Sequence, residues 1–197
     1  MERPEDRPGS SPCRLVLGLG NPGAEYRDTR HNVGFRVVEA LARRRDVALE
    51  EGDCRCRVAR SGDLLLAQPQ TYMNRSGYAA ACLQEIHGLD PAGILVVYDD
   101  VALPVGTLRM RRGGSPGGHR GLESVVESLR TDEVPRVRIG IREDDEPPQG
   151  DDLVEYVLTP FPAALADDLE AIVERAADAC QAWIDEGIDR AMNRFNG

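Results

Sequence analysis

Arg14-Leu15-Val16-Leu17-Gly18-Leu19-Gly20-Asn21-Pro22-Gly23 is the stretch on which the fold turns. Its first six residues are mostly apolar and partly β-branched, and the run stops at Gly20-Asn21-Pro22-Gly23. That reads as a buried strand entering a tight turn. Beyond the turn, Val33, Val37, Val38 and Leu41 recur at helical spacing, which predicts an amphipathic helix over Asn32–Arg45. A strand, a loop and a helix in that order begin an α/β unit.

The pattern continues outward. Strands are predicted at Val47–Ala59 and Asp63–Ala67, with Ser61-Gly62 as the turn between them. Gln68–Tyr72 contains Pro69 and reads as loop. A helix opening at Asn74 or Ser76 runs to His87 and is ended by Gly88. Ile94–Tyr98 is an apolar run of strand length closing on Asp99-Asp100, and Thr107–Arg111 alternates like a strand. A Gly-rich segment, Arg112–Gly118, leads into a helix ending near Leu129. Arg136–Ile141 is another alternating strand, and Glu143–Asp152 reads as an acidic loop. Leu165 through Ile184 carries one apolar stripe with acids opposite, a solvated surface helix. Strands and helices interleave throughout. The expected fold is an α/β single-domain sandwich with a mixed, twisted central β-sheet flanked by helices.

The length of 197 residues suits one such domain. We expect a disordered, Pro/Gly-rich tail over residues 1–12 and the domain over 13–197. No run is apolar enough to span a membrane. The tail lacks the apolar segment of a signal peptide. The five cysteines, an odd number, are therefore expected as free thiols in a reducing cytosol. Cys54 and Cys56 have no second pair at metal-ligand spacing, so no zinc site is expected. The net charge of −10 argues against a generally basic nucleic-acid binder. Its distribution says more. Between Leu103 and Leu122 lie Arg109, Arg111, Arg112 and Arg120 with no acid among them. An acidic molecule can still offer one positive face to phosphate.

Gly18-x-Gly20-x-x-Gly23 formally matches a dinucleotide fingerprint. Pro22 interrupts it, and the helix starts too late to receive a pyrophosphate, so a nicotinamide or flavin site is a poor reading. A strand-end Asn21 is the more telling feature. His31 lies on the polar stretch Thr29-Arg30-His31-Asn32 at a helix start, where a packed core imidazole is out of place. Taken alone, such a histidine is more often structural than catalytic, and Asp99-Asp100 taken alone reads equally as loop-capping acids. Together with side-chain amides they make a workable water-activating hydrolase. The imidazole takes a proton from water, the carboxylate fixes its tautomer, and the amides hold the water and the oxyanion. No serine sits in G-x-S-x-G and no cysteine neighbours a histidine, so a covalent nucleophile has no support.

At this point the pieces LVLGLGNPGAEYRDTRHNVGF, QPQTYMNRSG, ILVVYDDVALPVG, RGGSPGGHRGL and VRIGI…YVLTPF, in that order from Leu15 to about Phe195, resemble the bacterial-type peptidyl-tRNA hydrolases. The resemblance implies a monomeric, cytoplasmic α/β enzyme with no metal or cofactor. It implies hydrolysis of the ester joining a peptide to the tRNA 3′ end, which frees tRNA for translation. By position, His31 would be the general base and Asp99 its orienting carboxylate. Asn21 and Asn74 would hold the substrate ester and peptide backbone. Tyr26, Tyr72 and Met73 would line the site. Arg109, Arg111 and Arg138 would meet the acceptor stem, without reading its sequence. Arg120 adds charge and length beside the cleft, so it would either gain a phosphate contact or obstruct the cleft. The chain departs from the family pattern at Arg120, where an asparagine is usual, at Ala102, where an acid is common, and at Arg142, where glycine is usual. The alternative on the same fold is a relative that has given up hydrolysis and assists RNA splicing.

Overall fold

The structure, a computed structural model, describes residues 14–144 and 146–196. The tail expected over residues 1–12 lies outside the described residues. Seven strands form one mixed sheet: β1 (Arg14–Gly18), β2 (Glu50–Gly52), β3 (Cys56–Ser61), β4 (Leu64–Pro69), β5 (Ile94–Pro104), β6 (Leu108–Arg111) and β7 (Arg136–Arg142). Their order is β2-β3-β4-β1-β5-β7-β6. β1 pairs in parallel with β4 and β5, and β5 with β7, while β2, β3 and β6 attach antiparallel at the edges.

Six helices cover the sheet: α1 (Val33–Arg44), α2 (Ser76–His87), α3 (Arg120–Leu129), α4 (Gly150–Val157), α5 (Ala166–Glu186) and α6 (Ile188–Phe195). The period-2 alternation of the strands decides which helices meet which residues. Val16, Leu66, Val97 and Ile139 pack with α1, α5 and α6. Leu15, Leu17, Leu65 and Val96 pack with α2 and α3. β1 is covered on both faces, which is why it is apolar without alternation. Deleting a side chain such as Leu17, fully buried, would cost about 2–5 kcal/mol.

Gly18 and Gly34 let α1 lie directly on β1. A Cβ on Gly34 would come 2.4 Å from the Val97 carbonyl oxygen, and one on Gly18 would come 2.3 Å from that of Gly34. A Cβ on Gly20 would come 2.8 Å from the Phe35 ring. The formal dinucleotide fingerprint is thus explained by strand-on-helix packing. The same contact brings the turn before α1, with His31, against β5.

Several local expectations need correction. The strand expected over Val47–Ala59 is broken by a single 3-10 turn, Asp53–Arg55, with Cys54 at φ 59° and Arg55 at φ 53°. Cys54 is joined there to Cys82 of α2 in a disulfide, Cα–Cα 5.6 Å. The expectation of free thiols throughout fails because the fold packs that turn on α2, although the two residues are 28 apart in sequence. Cys56 and Cys180 are free and buried, and burial pushes each thiol up to about 12. Glu143–Asp152 does not stay loop to its end, since α4 begins at Gly150 with Asp151 and Asp152 in its first turn, where acids suit the helix dipole. The last predicted helix is followed by α6 after a break at Gly187, φ 85°. β5 runs on to Pro104 because β7 continues to pair with it at Asp99 and Asp100.

Candidate active site

β1 ends opposite Val97, so β5 extends beyond it, and Asp99 projects where β1 has already turned away. The vacated space is filled from above by the Thr29–Asn32 turn. His31 Nδ1 lies 2.8 Å from Asp99 Oδ1. Asp99 is 2% exposed. Burial alone would push its carboxyl up, but the charges and hydrogen bonds of two imidazoles outweigh it and hold it well below the usual carboxylate range. An ionised Asp99 accepts the Nδ1 proton of neutral His31, which leaves Nε2 as the free lone pair.

The second imidazole is His119. Its Nε2 lies 3.1 Å from the same Asp99 oxygen, and its Nδ1 accepts the Leu122 N–H at 3.1 Å as the N-cap of α3. His31, Asp99 and His119 offer ligand atoms close enough together for a metal ion. The cap disfavours that use. With Nδ1 accepting, His119 carries its proton on Nε2, the atom that would have to bind metal.

Asn21 is held three ways. Asn32 Oδ1 accepts its backbone N–H at 2.9 Å, and Asn32 Nδ2 donates to its carbonyl at 3.0 Å. Its own Oδ1 accepts the Met73 N–H at 2.7 Å. The amide NH₂ of Asn21 is therefore the end left for a ligand. The Met73 contact ties the turn after β1 to the turn after β4, and so positions Asn74. A Cβ on Gly121 would come 2.3 Å from the Met73 sulfur, so a larger residue at this point of α3 would displace the Met73 side chain.

These groups share one cleft of about 340 Å³. Asn21, Tyr26, His31, Tyr72, Met73 and Asn74 line one side, and Asp99, Gly117, His119 and Arg120 another. The third wall is apolar: Leu153, Val154, Val157 and Leu158, from α4 and its end. That wall was not foreseen from the sequence, whose reading stopped at an acidic loop over Glu143–Asp152 and gave the wall residues no element. It is fastened by Arg30, the neighbour of His31. Arg30 is 5% exposed; it pairs with Glu143, donates to the carbonyls of Thr159 (3.1 Å) and Pro160 (2.8 Å), and stacks 4.3 Å from the Tyr156 ring.

The basic residues divide. Arg109 and Arg111 stand exposed on β6, while Leu108 and Met110 point into the core. Arg109 donates to the Asn196 carbonyl. Arg138, opposite Arg109 in the ladder, is half-buried and its Nε lies 2.5 Å from Asp100 Oδ2. Its charge is engaged within the protein. Arg136 is buried and donates to the carbonyls of Gly114 and Ser115, which ties down the Gly-rich segment Arg112–Gly118. Arg111 and Arg120 are exposed and make no ion pair among the described residues.

A histidine oriented by a buried carboxylate, with amides beside it at the strand ends of an α/β sheet, belongs to the class of hydrolases that activate water directly. The comparisons with known proteins specify which. Residues 15–197 match the family model described as peptidyl-tRNA hydrolase. The chain is 44% identical over 187 residues to the peptidyl-tRNA hydrolase of Chloroflexus aggregans, covering 92% of this chain and 98% of that one. It is 46% identical over 187 residues to that of Roseiflexus, with 92% and 85% covered. The crystal structure of peptidyl-tRNA hydrolase from Acinetobacter baumannii superposes with a TM-score of 0.87 at 31% identity, over 95% of this chain and 96% of that one. The chain belongs to the peptidyl-tRNA hydrolase family.

Proposed function

We propose that the protein hydrolyses the ester between a peptide, or a blocked aminoacyl group, and the 3′ end of tRNA. The observation that carries the reading is the 2.8 Å contact of His31 Nδ1 with ionised Asp99, which leaves Nε2 unpaired on the cleft. Nε2 removes a proton from water as the water oxygen attacks the ester carbonyl carbon. Negative charge gathers on the former carbonyl oxygen. The NH₂ of Asn21, aimed by its bond to Met73, and the side chain of Asn74 stabilise it and hold the peptide backbone. The intermediate collapses, the C–O bond to the ribose breaks, and the imidazolium returns its proton to the leaving oxygen. Peptide and free tRNA are the products. Asp99 stabilises the imidazolium throughout.

Tyr26, Tyr72 and Met73 shape the cleft, and α4 supplies an apolar wall for side chains of the departing peptide. Arg111 and Arg120 are the cations best placed for phosphate, with Arg109 beside them; Arg138 contributes less because Asp100 engages it. The unit of function is the domain over residues 13–197, working as a monomer in the cytoplasm. Among the described residues no helix is long and apolar enough to cross a membrane.

The test is release of labelled peptide from an N-acetylated aminoacyl-tRNA by the purified protein. Multiple turnover is expected with no metal or cofactor added. Tight tRNA binding with no release would replace this reading with the RNA-binding one.

A further inference from the structure

We propose that His119 is a positioning residue for this reaction: its capped imidazole takes a share of Asp99 and so limits how firmly that carboxylate holds a proton on His31. The inference rests on the reading of His31 as the base. The geometry is specific. Leu122 N–H occupies Nδ1 of His119, so the ring in its neutral form has one proton, on Nε2, and that atom faces Asp99 Oδ1. The same oxygen receives His31 Nδ1. One buried carboxylate oxygen thus serves two imidazoles, whose ring centroids lie 5.2 Å apart.

The consequence is a matter of balance. A base must be neutral when water arrives. An Asp99 engaged by His31 alone would favour the imidazolium more strongly and leave the base protonated to higher pH. A second N–H on Asp99 disperses that attraction while keeping the carboxylate ionised. The other charged and titratable groups around the pair do not replace it. Asp100 on β5 is engaged by Arg138 of β7. Arg136 is held by loop carbonyls. Tyr26 and Arg120 on the cleft, and Tyr98 with its ring 4.7 Å from that of His119, make no hydrogen bond to Asp99, and α4 presents apolar side chains to the cleft.

Two substitutions separate the two jobs of His119. His119→Asn keeps a side-chain oxygen to cap α3 at Leu122 but is too short to reach Asp99. His119→Gln keeps a donor near the place of Nε2 and gives up the cap. The protonation of His31 is followed by NMR of its imidazole nitrogens, and the pH dependence of kcat/KM is measured beside it. In His119→Asn the midpoint for His31 and the acid limb of kcat/KM are both expected to rise, by about half to one pH unit, with Tm close to that of the unaltered protein. In His119→Gln the midpoint should fall back toward the original value while Tm drops. An unchanged or lowered His31 midpoint in His119→Asn would overturn the proposal. The NMR titration needs no substrate, so a failure of the hydrolytic reading would show in the turnover assay alone.

Discussion

Asp99 is a buried carboxylate whose side-chain partners among the described residues are two imidazoles. Its carboxyl is held below the ordinary range in the folded chain. The stability it contributes is therefore present above the unfolded value, about pH 4, and is lost as pH falls from there toward the folded value. Asp99→Asn should narrow the difference in urea midpoint between pH 6 and pH 3, as well as lowering kcat. Equal pH dependence in both proteins would contradict the burial and pairing described for Asp99. Asn21, His31 and Asp99 drew notice in the sequence as polar groups at a strand end or helix start, but their proposed roles, and the one proposed for Asn74, came from the family resemblance. Asn32 and His119 could not be assigned roles. Their partners, Asn21 and Asp99, are 11 and 20 residues away, and only the folded contact shows what each holds.

At the scale of elements, the long apolar strands and the helices with wide apolar faces were legible, because burial on one or two faces writes a period into the sequence. The short elements were not. α4 has eight residues and takes its place from Arg30 and Tyr156, whose hydroxyl donates to the Ile141 carbonyl at 2.7 Å. Arg30→Leu should destabilise the protein by about 2–4 kcal/mol and raise KM more than it lowers kcat, since it frees the apolar wall but leaves His31 and Asp99. A denaturation curve and steady-state kinetics check this. The turn at Asp53–Arg55 is fixed by its disulfide to α2, which no spacing rule could pair. Under non-reducing denaturation Cys56 and Cys180 should titrate as thiols while Cys54 and Cys82 should not, and Cys82→Ser should lower Tm by about 5–10 °C. Titration of Cys54 and Cys82 as well would show that pair reduced.

The whole molecule sets a charge problem: a net charge of −10 for a protein that must approach a polyanion. The answer is segregation. Exposed acids crowd α5, several of them paired with arginines of α1, while Arg109 and Arg111 of β6 and Arg120 at the start of α3 are exposed and in no ion pair among the described residues; Arg112 beside them is paired with Asp189 of α6. The sequence showed that acid-free stretch. It did not show that Arg136 and Arg138 are engaged internally, which concentrates the exposed charge at Arg109, Arg111 and Arg120. Arg111→Ala should weaken tRNA binding and reduce the slope of log K against log salt by about one, leaving hydrolysis of a minimal N-acylated aminoacyl-adenosine ester unchanged. An unaltered slope would place the tRNA elsewhere.

The measurement closest to the central claim is single-turnover hydrolysis of N-acetylated aminoacyl-tRNA by His31→Ala against the unaltered protein, at saturating enzyme. With His31 as the base that activates water, the rate should fall by about 10²–10⁴-fold while tRNA affinity and Tm hold. A loss of less than tenfold would mean that another group takes the proton, and would contradict the account.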